Sequence, residues 1–214
     1  MDKTYLYLHG FASSPKSAKA DYLRDRFREK KINLQTPDLN QGDFYHLTLS
    51  RQLQQIETEF DLKSEQKKVI IGSSFGGLTS TWLAQRNPAV ERLILLAPAF
   101  EFLLNILPRL GEDNLKKWQA EEDLLVYHYG EKREMPLNYH FIEDLSQYCD
   151  DQLQRTLPTL ILHGKQDEII SVQSSRNYVA RHPEAKLIEL DSDHSLKSVI
   201  PQLWEAIQLH LDLF

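Results

Sequence analysis

The sequence predicts a three-layer α/β/α sandwich with a mostly parallel, six-stranded sheet. Short apolar runs alternate along the chain with longer helical patterns. Several of these runs are apolar at nearly every position, as expected of strands covered on both faces. This alternation is typical of a parallel sheet with helices on both sides. With 214 residues, 41% hydrophobic and 26% charged, the chain is long and apolar enough for one compact core.

Six strand candidates and five helix candidates follow one another along the chain. The strands are expected at residues 5–8, 32–35, 68–71, 93–96, 159–162 and 187–190, and the helices at 17–30, 44–61, 77–85, 174–181 and 196–211. With the first strand near the centre, the expected strand order is 2-1-3-4-5-6. The winding direction then reverses between strands 1 and 3, and ligands bind at such a switch point.

Residues 98–151 break this alternation. Apolar positions at 103–107 indicate a helix, residues 113–123 a more polar one, and residues 124–129 and 137–141 a β-hairpin around a charged turn. A stretch of this length between two strands is uncommon unless it has a function. We therefore expect one domain, residues 1–214, with a cap insertion over an active site at about residues 98–151. A merely supportive excursion is the alternative.

The charge balance and the N-terminus narrow the class of protein. The formal net charge is −6, which disfavours nonspecific attraction to nucleic acid or to an anionic membrane. Cys149 is the one cysteine, so no intrachain disulfide is possible. No secretory leader pattern precedes the first strand, and the apolar runs are too short to span a bilayer. A cytoplasmic protein with neither nucleic acid nor membrane as partner is expected; the oligomeric state stays open.

The strongest signal for chemistry is the pentapeptide Gly72-Ser73-Ser74-Phe75-Gly76, which fits the G-x-S-x-G pattern. It stands between a strand candidate and a helix candidate, where a nucleophilic serine lies on a sharp turn. Small residues two before and two after the serine let that turn form without collisions. The pattern predicts Ser74 as the nucleophile and leaves Ser73 a packing role. In the alternative, a plain tight turn, Ser74 only caps the helix.

A serine hydroxyl needs a base to take its proton, and the base needs an acid to hold its tautomer. His194 is the predicted base, because it lies between the last strand and the last helix. Asp167 is the predicted acid; it follows the fifth strand, so the chain order is nucleophile, acid, base. Glu168 is the alternative acid. His9 and His163, each at the end of a strand and before a glycine, are expected to stabilise loops.

An oxyanion hole needs two backbone N–H groups aimed at the oxygen that becomes negative. One is expected from Phe75, the residue after the nucleophile. The other is expected from Phe11 in the loop after the first strand, where a simple glycine turn is the alternative. The histidines and carboxylates lack the spacing of a metal site, and residues 72–77 lack the lysine of a phosphate loop. We therefore expect no metal and no cofactor.

Together these residues make the chain resemble the α/β-hydrolase superfamily, and more closely the small bacterial esterases of the YqiA-like group. The carrying segments are residues 7–19 and 71–77, with weaker matches at 164–167 and 193–194. The resemblance implies a reduced form of that fold and cofactor-free hydrolysis of small-molecule carboxylic esters or thioesters. It also implies Ser74, Asp167 and His194 as the catalytic triad of an acyl-enzyme mechanism. Residues 98–151 match no motif of the group.

Two other functions fit the same sequence. Folds of this kind host many functions, so a catalytically inactive binding protein is one alternative. A serine hydrolase acting on peptide or C–C bonds is the other, because the same triad supports those reactions. The aromatic residues of the expected cap either line an apolar acyl pocket or form the cap's own core; they are Phe100, Phe102, Trp118, Tyr127 and Tyr129.

Overall fold

The central sheet lies where the apolar runs predict it. The computed structural model describes residues 3–213 and joins six strands in one sheet, with every neighbouring pair parallel. The strands are β1 (Thr4–Leu8), β2 (Leu34–Gln35), β3 (Lys68–Ser73), β4 (Val90–Leu96), β7 (Thr159–Gly164) and β8 (Ala185–Leu190). Their order, β2-β1-β3-β4-β7-β8, confirms the predicted order with its reversal between the first and third strands.

Two apolar clusters lie on the two faces of this sheet, because successive strand residues point to opposite sides. In β1, Leu6 and Leu8 belong to one cluster and Tyr7 to the other. The helices that cover the sheet are α1 (Ala18–Glu29), α2 (Leu49–Glu59), α3 (Phe75–Arg86), α7 (Val172–Arg181) and α8 (Ile200–Leu211). Helices α1 and α8 pack on the Tyr7 face, and α2, α3 and α7 pack on the other. None of the helices within residues 3–213 has the length and apolar character that a bilayer crossing requires.

Local capping moves two helix starts from their predicted positions. Helix α2 begins at Leu49 rather than at residue 44, because the Thr48 side chain accepts a hydrogen bond from the N–H of Arg51 and caps the helix there. Helix α8 begins at Ile200 rather than at residue 196. Leu196 has a left-handed backbone (φ 55°), which no regular α-helix accommodates.

Residues 98–151, called the insert below, hold three helices and a β-hairpin. These are α4 (Phe102–Leu110), α5 (Glu112–Glu121), the antiparallel strands β5 (Asp123–His128) and β6 (Arg133–Asn138), and α6 (His140–Leu145). The prediction of a second hairpin strand at residues 137–141 is wrong. Lys132 turns the chain in a left-handed conformation (φ 55°), so β6 starts earlier, and Phe141 lies in α6 instead.

The insert contacts the body of the domain through backbone groups. The N–H of Tyr129 donates to the carbonyl of Ala12 (2.8 Å), and the N–H of Asn138 donates to the carbonyl of Tyr45 (3.0 Å). These bonds attach the hairpin to the loop after β1 and to the segment before α2. The insert therefore borders the carboxyl end of the sheet, and its role as a cap stays a prediction.

The aromatic residues of the insert divide between core and surface. Phe100 is buried and its ring stacks on that of Tyr178, with centroids 4.3 Å apart. Trp118 is buried and donates its indole N–H to the carbonyl of Leu137. Tyr127 and Tyr129 are 48% and 73% exposed. Phe100 and Trp118 are thus core residues, and neither tyrosine lines a closed pocket.

Arg155 ties the entry of β7 to the end of α3. Its guanidinium donates to the carbonyls of Ala84, Asn87 (2.5 Å), Pro88 (3.3 Å) and Val90 (2.7 Å). Burial lowers the pKa of this guanidinium, which nevertheless stays charged at neutral pH. One side chain therefore binds a carbonyl in the last turn of α3, at Ala84, and three carbonyls along the connection into β4.

We expect Arg155→Met to lower the free energy of unfolding by about 2–3 kcal/mol, because charged hydrogen bonds are lost and buried carbonyls are left unpaired. Urea denaturation measures the change. The matched control is Arg109→Met on the exposed side of α4, for which a change within about 0.5 kcal/mol is expected. Equal denaturation midpoints for the two variants would contradict the assignment.

Candidate active site

Ser74 occupies a strained turn between β3 and α3. Its backbone has φ 53° and ψ −118°, a conformation that costs on the order of 1–3 kcal/mol for a residue with a side chain. Hydrogen bonds hold it there: the N–H of Ser74 donates to Leu96, and its carbonyl accepts from Gly77 and Ala99. The Ser74 side chain makes no capping bond to α3, so the alternative of a simple helix cap does not describe this serine.

Gly72 and Gly76 allow the close packing that this turn requires. A Cβ added at Gly72 would lie 2.4 Å from the carbonyl oxygen of Gly76, and one added at Gly76 would lie 2.2 Å from that of Leu8. Both distances are shorter than real side chains tolerate. Glycine is therefore required at both positions, because the neighbouring backbone leaves no space for a side chain.

The structure brings Ser74, His194 and Asp167 into one hydrogen-bonded series. The Nε2 atom of His194 lies 2.9 Å from the Ser74 Oγ, and its Nδ1 atom lies 2.7 Å from Oδ2 of Asp167. Asp167 follows β7 and His194 follows β8, so the parallel strands deliver both to the same edge as Ser74. The His194 side chain is 19% exposed, whereas that of Asp167 is fully buried. The imidazole can therefore accept the serine proton while remaining reachable from solvent.

Several donors surround the Asp167 carboxylate. Its Oδ1 accepts from the N–H groups of Ile169 (2.9 Å) and Ile170 (2.8 Å), and its Oδ2 accepts from the rings of His163 and His194. Burial raises the pKa of this carboxyl, but the hydrogen bonds outweigh burial and hold the pKa well below its usual range. Asp167 is thus ionised at neutral pH and accepts the Nδ1–H of His194.

Glu168, the alternative acid, contacts a different group. Its Oε2 atom accepts from the backbone N–H of His194 (3.3 Å). Of the two carboxylates weighed from the sequence, Asp167 is the one that contacts the imidazole. Glu168 instead helps to hold the loop that carries His194.

His163 contacts the predicted acid, Asp167, whereas the sequence predicted only that His163 stabilises a loop. Its fully buried ring lies 3.0 Å from Oδ2 of Asp167 through Nε2 and 2.7 Å from Oγ of Ser175 through Nδ1. A neutral ring with its proton on Nε2 donates to Asp167 and accepts from Ser175. The signal that could have found this contact is the spacing of His163 and Asp167, four residues apart around one strand end.

The two expected oxyanion donors belong to residues near Ser74. Phe75 is the first residue of α3, and Phe11 follows Gly10, whose added Cβ would lie 3.3 Å from the Cβ of Ser74. Within residues 3–213 neither N–H enters a turn, loop or cap hydrogen bond with another backbone group. Both remain candidates for binding a negatively charged oxygen.

An aromatic cluster connects these two residues with the insert. The rings of Phe11 and Phe75 are 6.3 Å apart, and both contact Phe102 and Phe141 from the insert. Phe44, in the loop before α2, completes the cluster at 5.6 Å from Phe11. Packing of the insert therefore fixes the side chains next to both candidate donors.

A cavity of about 310 Å³ lies between α3, α4 and α6. Its apolar wall is formed by Leu78, Phe102, Leu103, Leu104, Leu145 and Tyr148, and its polar wall by Glu101, Asp150, Asp151 and Arg181. Ser74, Asp167 and His194 do not line it. The N–H of Leu78 donates to the carbonyl of Ser74 (3.2 Å), so one wall of the cavity begins one helical turn from Ser74.

Over the described range 3–213, no three or more His, Cys, Asp or Glu side chains are placed to hold a metal ion. Independence from a metal or cofactor stays a prediction.

We expect His163→Leu to slow covalent labelling of Ser74 by a fluorophosphonate about 10-fold or more, but less than the ~10⁴ expected when the triad acid is lost. The reason is that Asp167 loses a buried donor and gains freedom to rotate. The matched control is His182→Leu, another buried histidine, which bridges the carbonyls of Tyr178 and Leu153. If both variants label at the same rate per folded molecule, His163 does not act on Asp167.

Comparison with known proteins finds one matching family and one curated relative. The model of the Uncharacterised protein family (UPF0227) matches residues 4–211. The mouse palmitoyl-protein thioesterase ABHD10, described as mitochondrial, is 26% identical over 163 residues, which cover 73% of this chain and 55% of the mouse protein. The chain thus spans about half the length of that curated relative.

Two solved structures show the fold at low sequence identity. Mouse ABHD10 superposes with a TM-score of 0.81 at 21% identity, covering 99% of this chain and 90% of that one. Est1E from Butyrivibrio proteoclasticus, with ferulic acid bound, superposes with a TM-score of 0.82 at 19% identity, covering 98% and 88%. At these identities the likeness establishes the architecture.

Proposed function

Because the chain belongs to the uncharacterised protein family UPF0227 and has the α/β-hydrolase fold, we propose that it is a serine hydrolase that cleaves carboxylic esters or thioesters. The observation that carries this proposal is the unbroken series of hydrogen bonds from Ser74 through His194 to Asp167. A hydroxyl, an imidazole and an ionised carboxylate in this arrangement form an activated nucleophile.

The first step is attack on the acyl carbon. As a bond forms between Oγ of Ser74 and the carbonyl carbon, the proton of the hydroxyl passes over 2.9 Å to Nε2 of His194. The imidazole becomes a cation, and the buried carboxylate of Asp167 stabilises it through the Nδ1–H. Since the carboxylate stays ionised, the proton remains on the imidazole until the leaving group needs it.

Negative charge develops on the carbonyl oxygen during this attack. The N–H groups of Phe11 and Phe75 are the proposed donors to that oxygen, and the N-terminus of α3 adds a favourable partial charge. Removal of one such donor in other serine hydrolases costs about 10²–10³ in turnover. The aromatic cluster around both residues holds the donors in place before the substrate arrives.

The acyl-enzyme then forms and breaks down. The C–O or C–S bond to the leaving group breaks, and the alcohol or thiol takes the proton from Nε2 of His194. A water molecule next gives its proton to the same nitrogen and attacks the acyl carbon, and the bond to Ser74 Oγ breaks with return of the proton to that oxygen. No cofactor is required for this sequence of steps.

The relatives support both leaving-group classes. The name of one relative describes a thioesterase acting on palmitoylated proteins, and the other neighbour is an esterase with a bound aromatic acid. We therefore keep esters and thioesters together as the substrate class. A cytoplasmic location, as expected from the sequence, remains part of the proposal, and the mitochondrial location belongs to the mouse protein's name.

We expect Ser74→Ala to lower turnover of short p-nitrophenyl esters by a factor on the order of 10⁶, leaving only the residual catalysis from the oxyanion donors, and to abolish fluorophosphonate labelling. Asp167→Asn should lower turnover by a factor on the order of 10⁴, because the imidazole then adopts the wrong tautomer. The matched control is Ser73→Ala, the neighbouring buried serine, which should still be labelled. Wild-type turnover by Ser74→Ala would end the proposal, and a wild-type protein inert to both reagents would favour a binding protein.

The apolar wall of the cavity is the proposed site for the acyl chain. It starts at Leu78, one turn along α3 from the nucleophile, and its side chains are aliphatic or aromatic. Each methylene buried there contributes about 0.8 kcal/mol, or roughly fourfold in kcat/KM. Apolar acyl chains should therefore be preferred over acetyl until the cavity is filled.

We expect Leu104→Asp, at the edge of this cavity, to lower kcat/KM for octanoyl esters while leaving acetyl esters nearly unchanged. The change places a charge where the apolar chain would be buried. Leu125→Asp is the matched control, because Leu125 is comparably exposed (62% against 74%) but lies on the hairpin outside the cavity. An equal effect of the two variants on chain-length preference would place the acyl chain elsewhere.

A further inference from the structure

Lys19, in the first turn of α1, reaches the loop that carries His194. Its Nζ donates to the carbonyl of Ser195 at 2.9 Å, joining residues 176 positions apart in the chain. Ser195 is the residue directly after His194. The lysine thus contacts the backbone next to the base and lies outside the Ser74–His194–Asp167 series.

The loop around His194 needs support from outside, because its own bonds are local. Within the loop, Oδ1 of Asp193 accepts from the Ser195 hydroxyl (2.7 Å) and from the N–H of Leu196 (3.1 Å). Leu196 itself is held in a left-handed conformation. On the side before His194, the N–H of Gln166 donates to the carbonyl of Ser192 (3.1 Å). Lys19 supplies an anchor on the side after His194.

Charged groups from two loops face the ammonium of Lys19. Asp167 after β7 and Asp193 after β8 attract it, and Lys197 after β8 repels it. Burial lowers the pKa of Lys19 to about 8, and the attraction of Asp167, which raises the pKa, offsets only part of this effect. The ammonium is therefore mostly charged at neutral pH, and its charge is lost as the pH rises through about 8.

We infer that Lys19 is a positioning residue for His194, whose ammonium holds the Ser195 carbonyl and thereby keeps the imidazole over Ser74 Oγ. This inference rests on the proposed function. A hydrogen bond from a charged donor is shorter and roughly twice as strong as a neutral one, so loss of the charge loosens the loop. Misplacement of a catalytic group by about 1 Å can cost on the order of 10²-fold in rate.

The inference predicts that removal of Lys19 changes kcat and KM to different extents. Lys19 contacts the base's loop and is not one of the residues that line the cavity, so its removal should lower kcat and leave KM nearly unchanged. It also predicts a pH effect: the wild-type labelling rate should fall as the pH rises through about 8, where Lys19 loses its proton.

The experiment compares the wild type with Lys19→Met, Lys19→Arg and Lys16→Met in fluorophosphonate labelling and ester turnover, from neutral pH to well above 8. Lys19→Met should react about 10–100-fold more slowly at neutral pH and should lack the alkaline fall. Lys19→Arg, which keeps a charged donor, should recover most of the rate and retain it at high pH. Lys16→Met removes an exposed charge just before α1 and should match the wild type.

Rates are expressed per folded molecule, with the folded fraction measured by circular dichroism. Lys19→Met with the wild-type rate and the wild-type alkaline limb would overturn the inference. A loss of rate that only follows the folded fraction would also overturn it, since that outcome describes a structural lysine. If Lys19→Met does not fold, Lys19→Gln, which keeps a neutral donor, is judged by the same two criteria.

Failure of the proposed function gives a different result. A wild-type protein that neither hydrolyses esters nor reacts with the fluorophosphonate refutes the hydrolase proposal whatever Lys19 does. In that case the NMR signal of the His194 Nδ1–H reports on positioning directly. A shift or broadening of this signal in Lys19→Met, with none in Lys16→Met, would support the anchor, and an unchanged signal would overturn it.

Discussion

An ionised carboxylate buried without partners costs several kcal/mol, and the carboxyl edge of the sheet is arranged so that Asp167 avoids this penalty. Two backbone N–H groups and two imidazoles donate to its oxygens. Because those donors favour the charged form, the carboxyl stays ionised despite complete burial. The orientation of His194, and with it the reactivity proposed for Ser74, depends on this one charge.

The parallel sheet explains why such distant residues meet. All six strands end at the same edge, so the loops after β1, β3, β7 and β8 bring Phe11, Ser74, Asp167 and His194 together. The insert then borders this edge, with the Tyr129 N–H bound to the loop after β1 and with two phenylalanines packed against Phe11 and Phe75. The insert thus packs directly against the candidate site, and its helices α4 and α6 also form part of the cavity wall.

The site combines strain with supporting contacts. Ser74 holds an unfavourable backbone conformation, and the surrounding hydrogen bonds and glycines leave it no alternative. His163 contacts the acid, Glu168 binds the backbone of the base, and Lys19 binds the loop after the base. The proposed catalysis would tolerate little displacement of these groups, and several independent contacts surround the one imidazole.

The sequence by itself determined the alternation of strands and helices and the serine-centred turn, because these follow from local periodicity and from the space a tight turn requires. The strand order was predicted only with the further condition that the first strand lies near the centre of the sheet. The sequence also pointed to Ser74, Asp167 and His194 through their places after successive strands. Only the tertiary structure decided which carboxylate faces the imidazole, that β6 starts at Arg133, and that His163 and Lys19 support the site. Such pairings join side chains and backbone groups from different strand ends and helices, and a one-dimensional pattern carries no information on the distances that packing sets between them.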